Sequence, residues 1–156
     1  MQPTLAGFIL FLRNVVGIPT SVLPDNSPTI TMSYTIAIDL TNLVLNDAIP
    51  DIYTLAVYNL GASNVLNYGQ DPVPVVVYKN NAEGLGFFAF TRQQLNMNGF
   101  VPGVINSASD VSTSQSMTIP KAFEDLTIAD LQYLKDPYGR QYLAFAQKYG
   151  TLWGIS

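Results

Sequence analysis

The chain has 156 residues, 48% hydrophobic and only 12% charged, against about 25% charged in an ordinary soluble domain, so neutral polar groups or other subunits must cover its surface. One domain with a sizeable core is expected, without disulfide, zinc site, thiol nucleophile or imidazole base, because cysteine and histidine are both absent. Seven basic against eleven acidic residues give a net charge of −4 with no basic run, which excludes a binder that grips nucleic acid through its phosphates.

Residues 5–12 form an apolar run with no basic residue before it and no small-x-small cleavage pattern after it. It is neither a secretion signal nor long enough for a membrane span, which needs about 20 apolar residues. A soluble protein made in the cytoplasm is the expectation. Pro3 and Thr4 open a first helix in which Leu5, Phe8, Ile9, Leu12 and Val16 recur at helical spacing, and Gly17 and Pro19 close it. Phe11 widens the apolar stripe, which fits a helix covered on two sides, by the core and by a neighbouring subunit, as well as a central core helix.

Ser27 as N-cap and Pro28 at the first helical position start a second helix over 28–46, followed through Ile30, Tyr34, Ala37, Ile38 and Leu45. Its β-branched density also suits a strand, but alternation is lacking and the capping residues decide for helix. Pro50 and Asp51 start a third, whose apolar set wraps most of the circumference from Ile52 to Leu66 and places it at the centre of a bundle. Ala56, Gly61, Ala62 and Ser63 permit close helix approach, Gly69 ends the helix, and Asn59 and Asn64 are expected to satisfy buried backbone or subunit contacts.

Residues 71–84 are irregular around Pro72 and Pro74 and predict a loop or one short strand at Val75, Val76 and Val77. A helix over 87–97 follows, ended by Gly99. Residues 101–120 are rich in serine and threonine, with Asp110 their only charge, and read as a β-hairpin, an extended arm or a serine-rich linker. As a hairpin, Ser109 and Asp110 lie near its tip, and Val104, Val111, Met117 and Ile119 are its apolar contacts.

Thr127 and Asp130 resemble a capping box opening a short helix to Lys135, with Leu131 and Leu134 facing in. Asp136-Pro137 caps a last helix carrying Tyr138, Tyr142, Phe145 and Tyr149 up to Gly150. The sum is a mainly α fold in one domain: a helical bundle over residues 3–99, a polar arm over 101–120, and C-terminal helices with a tail over 121–156.

Without histidine or cysteine, proton transfer and nucleophilic attack fall to carboxylates, tyrosines, lysines and hydroxyls, and no spacing brings these together. Asp47 and Asp51 flank the turn between the second and third helices as solvated capping acids, and Glu124 with Asp125 complements a helix N-terminus. Asp25-Asn26 and Asn80-Asn81-Ala82-Glu83-Gly84 hold only fragments of a calcium loop, and Gly84-Leu85-Gly86 is too short for a dinucleotide fingerprint. No catalytic activity, cofactor or metal is expected. Tyr149, Leu152, Trp153 and Ile155 put large apolar surface near the C-terminal end, where it either folds back on its own domain or docks into another protein.

Behind the apolar first helix, the phrase LPDNSPTITMSYTIAIDLTN, the helix YTLAVYNLGASNVLNY, the polar SASDVSTSQSM stretch and the closing DPYGRQYLAFAQKYG resemble the head-tail adaptor proteins of tailed bacteriophages. These are also called head-completion or neck proteins, and the resemblance runs over most of the chain. In that family a small helical bundle precedes a serine-rich loop and a closing segment with a YG pair. Here Asp110 stands where a glycine is frequent, and Asp136-Pro137 replaces a threonine phrase.

The resemblance implies a structural virion protein at the head-tail junction, made in the host bacterial cytoplasm. It implies a homo-oligomeric ring, commonly of twelve copies, between the portal and a downstream neck or tail protein, extending the channel through which DNA leaves. By that analogy Tyr149, Leu152, Trp153 and Ile155 engage the portal. Few charges and a first helix apolar on more than one side suit such neighbour contacts, for which Phe8, Phe11, Val111 and Met117 are the candidates. Twelve copies at −4 each carry about −48, so a channel lined by acids, with Asp110, Asp47 and Asp51 as candidates, lets DNA pass without specific binding. The alternative reading is a capsid decoration or tail-completion protein, which stoichiometry distinguishes.

Overall fold

The computed structural model describes residues 2–99, 104–108, 115–118 and 128–149. Helix α1 (Leu5–Phe11) is capped by Thr4, whose hydroxyl oxygen accepts from the Gly7 N–H at 3.0 Å. It runs on as a π turn over Leu12–Val16, closed by Gly17 at a φ of 80°, where a side chain would be strained. Arg13, within that turn, folds over the following loop: its guanidinium donates to the carbonyls of Ile18 and Leu23 and pairs with Asp25 at 2.6 Å.

Helix α2 (Pro28–Leu40) starts with Ser27 at the N-cap and Pro28 at the first position, although the Ser27 hydroxyl makes no capping bond. The helix does not reach residue 46. The buried Thr41 turns extended, with its N–H and its hydroxyl both donating to the Ala37 carbonyl, so the helical ladder stops there. A separate turn, α3 (Val44–Ala48), then carries Leu45 into the core. Leu45 fitted the helical repeat of α2 by spacing alone, which is why the break was not visible in the pattern.

Helix α4 (Pro50–Tyr68) is the central element, with both its flanks and its middle buried. Its small residues do what their size allows. A Cβ on Gly61 would come within 2.8 Å of the Phe8 ring, so the glycine lets α1 lie against α4. Gly69 follows its last residue as expected, and a Cβ there would come within 2.5 Å of the Val65 carbonyl oxygen. Two apolar clusters pack on this helix. One joins Phe8, Leu12, Ile18, Leu23 and Ile30 to Val65, Phe87 and Phe88. The other joins Ala37 and Leu45 to Tyr53, Val57 and Leu60, and to Tyr142 and Leu143.

Residues 71–84 hold no strand; they form a loop with a tight turn over Tyr78–Asn80 and a second over Asn81–Gly84, where the Gly84 N–H donates to the Asn81 carbonyl at 3.2 Å. The loop is pinned at both ends. Asp71 accepts from the N–H groups of Phe88 and Ala89, capping α5 (Phe87–Gln94), and the Asn81 side chain bonds the backbone of Tyr78 and Leu85. Helix α5 ends before the expected Gly99, because Asn96 takes the left-handed position (φ 52°) and the Met97 N–H turns back to the Arg92 carbonyl.

The polar arm contains an antiparallel pair, β1 (Val104–Ala108) and β2 (Gln115–Thr118), with Ile105 opposite Met117 and an irregularity between Ile105 and Ser107. The hairpin reading therefore fits better than a linker. Ser109, Asp110, Val111, Ile119, Glu124, Asp125, Thr127 and Gly150 lie outside the described residues. Helix α6 (Ile128–Tyr133) leads to α7 (Pro137–Lys148), which packs along α4.

The join between α6 and α7 is tight. A Cβ on Gly139 would overlap the Tyr133 carbonyl oxygen, which is backbone and cannot step aside. Gly139→Ala is therefore expected to cost about 2 kcal/mol, the range of overpacking in a filled interior. Thermal unfolding followed by circular dichroism should show a Tm lower by roughly 4–8 °C, and an unchanged Tm would show that the join is looser.

Candidate functional site

The charged groups inside the fold serve as caps and ties. Asp136 is 0% exposed; its Oδ1 accepts from the N–H groups of Tyr138 and Gly139, and its Oδ2 from the Ser63 hydroxyl and the Asn67 amide. Burial, and then the Asp136 charge, hold the Tyr138 phenol above its usual range. Arg92 donates to the carbonyls of Leu66 and Gly69 and lies over the Phe88 ring; desolvation lowers its pKa while Asp71 acts the other way. Among the described residues no three acidic or other metal-ligating side chains gather to hold a metal ion.

A groove of about 550 Å³ runs between α1 and α4, walled by Leu10, Phe11, Val15 and Leu55, with Asp51 at its edge. A second of about 480 Å³ lies between α2 and the C-terminal half of α4, walled by Met32, Ile36, Asn64, Tyr68 and Tyr133. Leu10, Val15, Met32, Ile36, Leu40 and Leu43 are all exposed, as are the valines of the 73–77 loop. Isolated exposed apolar residues are normal, and grooves lined by several of them are candidate contact surfaces.

The residues expected at subunit contacts separate on this surface. Phe8 is 0% exposed, stacked on Tyr34 at 5.7 Å and tilted on Tyr58 at 5.9 Å, so it is a core residue and has no face to offer a neighbour. Phe11 is half-buried and lines the α1/α4 groove, where a neighbour can reach it. Met117 lies in β2, and Val111 lies outside the described residues.

Asp47 and Asp51 are both exposed and sit in the first turns of α3 and α4, but the cap positions belong to Leu43 and Ile49 and neither helix has a side-chain capping bond there, so the two acids are solvated first-turn residues and not caps. Tyr149 follows the last turn of α7 and packs at the edge of the second cluster. Leu152, Trp153, Ile155 and Asp110 lie outside the described residues.

The α2/α4 groove was missed by the sequence reading. The signal existed: Met32, Ile36 and Leu40 recur every four residues, a stripe beside the buried Ile30, Ser33 and Ala37. Of the backbone and subunit contacts expected of Asn64, its Nδ2 makes no backbone one among the described residues. Asn59 and Asn67 bond the carbonyls one turn back, Leu55 and Ser63, at 2.8 Å each. The Asn64 Nδ2, equally buried, finds no acceptor among the described residues.

No known protein family, characterised protein or solved structure matches the chain. Among the described residues, no helix is long and apolar enough to cross a membrane.

Proposed function

We propose that this chain is a structural protein of a tailed-phage virion, a ring-forming head-to-tail adaptor that docks to the portal and extends the DNA channel toward the tail. The observation that supports this most is the pair of apolar grooves on a folded protomer whose sequence is only 12% charged. A surface of that kind is stable in water when copies cover one another. The motif resemblance supplies the particular assembly, and the net charge of −4 per copy suits a passage through which DNA slides without sticking. On this reading the chain does no chemistry and takes no cofactor.

Mass photometry and electron microscopy of the chain, alone and mixed with the portal protein of the same virion, test it. Rings of about twelve copies, stacked coaxially on the portal, are the expected result. Removing residues 151–156 is expected to leave the melting curve of the domain in place and to abolish portal attachment, because large apolar anchors dominate docking energies. Trimers or single copies spread over the capsid shell would replace the adaptor with a decoration protein.

A further inference from the structure

Helix α7 carries the chain back to the mouth of the α1/α4 groove. Asp136, at its start, is bonded to Ser63 and Asn67 in the C-terminal half of α4, and α7 then packs along α4 into the cluster of Tyr53, Val57 and Leu60. The two helices are therefore antiparallel. The 12 residues of α7 span about 18 Å, the same rise that leads on α4 from Ser63 back to Asp51. Tyr149 is thus level with the first turns of α4, whose Asp51, Thr54 and Leu55 form one wall of the groove.

The side on which the chain leaves α7 follows from its aromatic stripe. Tyr138, Tyr142, Phe145 and Tyr149 recur at helical spacing on one face, and Tyr149 lies three turns and only about 20° on from Tyr138. Tyr138 meets the other wall of the groove: its ring packs edge-on to Phe11 at 6.1 Å and its hydroxyl donates to the Val15 carbonyl. The face of α7 that touches α1 is therefore the face from which residue 150 departs. The α2/α4 groove is disfavoured by the same geometry, because its α4 wall, Asn64 and Tyr68, stands at the end where α7 begins.

Residues 150–156, GTLWGIS, follow Tyr149 and lie outside the described residues; they carry no charge and include Leu152, Trp153 and Ile155. Seven extended residues reach about 23 Å. Crossing between packed helices takes about 10 Å, and the groove wall from Asp51 to Tyr58 is about 10 Å long. The groove leaves Leu10 60%, Val15 57% and Leu55 42% exposed.

We propose that in the free chain residues 150–156 fold back and seat Leu152, Trp153 and Ile155 in the α1/α4 groove of the same protomer. The short tether gives the segment an effective concentration on the order of mM, so a modest apolar contact keeps it docked. Such a contact opens locally below the Tm of the domain and does not set the melting curve. It belongs to the single chain and goes beyond the adaptor reading. On that reading it adds a step: portal attachment draws out the anchor and in the same movement uncovers the groove for a neighbouring copy.

Trp153 is the one tryptophan of the chain and there is no cysteine, so an indole signal and an introduced thiol both report without background. In the dilute, full chain the Trp153 emission is expected to be blue-shifted from that of free tryptophan and weakly quenched by acrylamide. The emission of a fully exposed indole would overturn the proposal. Leu55→Asp, which puts a charge on the groove wall, should raise acrylamide quenching several-fold with the far-ultraviolet circular dichroism unchanged. Unchanged quenching in that folded variant would also overturn it.

The seat itself is read with bimane, a fluorophore that a tryptophan in contact quenches. Bimane on Val15→Cys should be quenched and bimane on Met32→Cys bright, both positions being exposed. Adding Trp153→Phe, which keeps a ring in the seat, should restore the Val15 signal several-fold. Quenching at Met32 in place of Val15 would put the segment in the α2/α4 groove and overturn the proposal. Labelled Val15→Cys/Trp153→Phe chain mixed with unlabelled chain should stay bright, and quenching there would mean that another copy fills the groove, which overturns the single-chain contact. None of these readings uses the portal, so they hold or fail separately from the adaptor reading.

Discussion

Phe8→Ala is expected to remove about 4 kcal/mol of stability, the size of the loss when a fully buried aromatic ring is cut back in a packed core. The ring fills a space that its surroundings cannot close. Below it Gly61 has no side chain to move in, and a Cβ there would already stand 2.8 Å from the ring. Tyr34 and Tyr58 flank it at 5.7 and 5.9 Å, and Tyr58 is itself tied by its hydroxyl to the backbone of Thr4. With Tyr58 held and Gly61 bare, collapse into the cavity is limited, which keeps the cost above the lower end of the aromatic range.

Thermal or urea unfolding should show a Tm lower by roughly 8–16 °C, or a midpoint shift at constant slope. Leu10→Ser, one residue pair away on the exposed side of the same helix, should stay within about 0.5 kcal/mol. If instead the Phe8 variant melts like the parent, the ring faces outward and the subunit-contact expectation returns.

That contrast shows how far the sequence could be read. Helix starts were legible because they are written in local chemistry: Thr4, Pro28, Pro50 and Asp136-Pro137 each stand at the position where a helix opens. Helix ends were less so. Thr41 stops α2 by a side-chain bond to Ala37 that no spacing rule announces, and at the end of α5 the left-handed residue is an asparagine three positions before the glycine that looked decisive.

The first helix was legible as apolar on more than one side, with Phe8 on the main stripe and Phe11 on its flank, yet the period could not say that only the second would stay within a neighbour's reach. The glycine at position 61 of another helix gives the Phe8 ring its space, which is a tertiary fact. The contact surfaces follow the same logic. Composition left neutral polar groups or other subunits to cover the surface; only the fold shows that Met32, Ile36 and Asn64, whose Nδ2 has no acceptor among the described residues, share one groove.

Asp136→Ala is expected to cost about 3 kcal/mol, because one carboxylate does two jobs. Its Oδ1 caps α7 through the N–H groups of Tyr138 and Gly139, at 3.0 and 2.8 Å. Its Oδ2 holds α7 to the central helix through the Ser63 hydroxyl at 2.6 Å and the Asn67 amide at 3.1 Å. Alanine loses the cap, worth about 1 kcal/mol, and strands a buried serine hydroxyl whose partner is gone, worth a further 1–3 kcal/mol by itself. No lysine or arginine pairs with the carboxylate among the described residues, so the charge is stabilised by these four donors.

A double-mutant cycle separates the two jobs. Ser63→Ala alone leaves the carboxylate short of one donor, whereas in the Asp136→Ala background it removes a hydroxyl that has lost its acceptor and keeps only the Asn67 amide, at 3.3 Å. The pair should therefore be coupled by about 1 kcal/mol, read from unfolding midpoints of the four proteins. Additive losses would mean that Asp136 acts on the helix end alone, and α7 would then lean on α4 by apolar contacts only. Coupled losses mean that α7, which Tyr149 follows, is fixed against the central helix at its first turn by this carboxylate as well as by the apolar contacts of Tyr142 and Leu143.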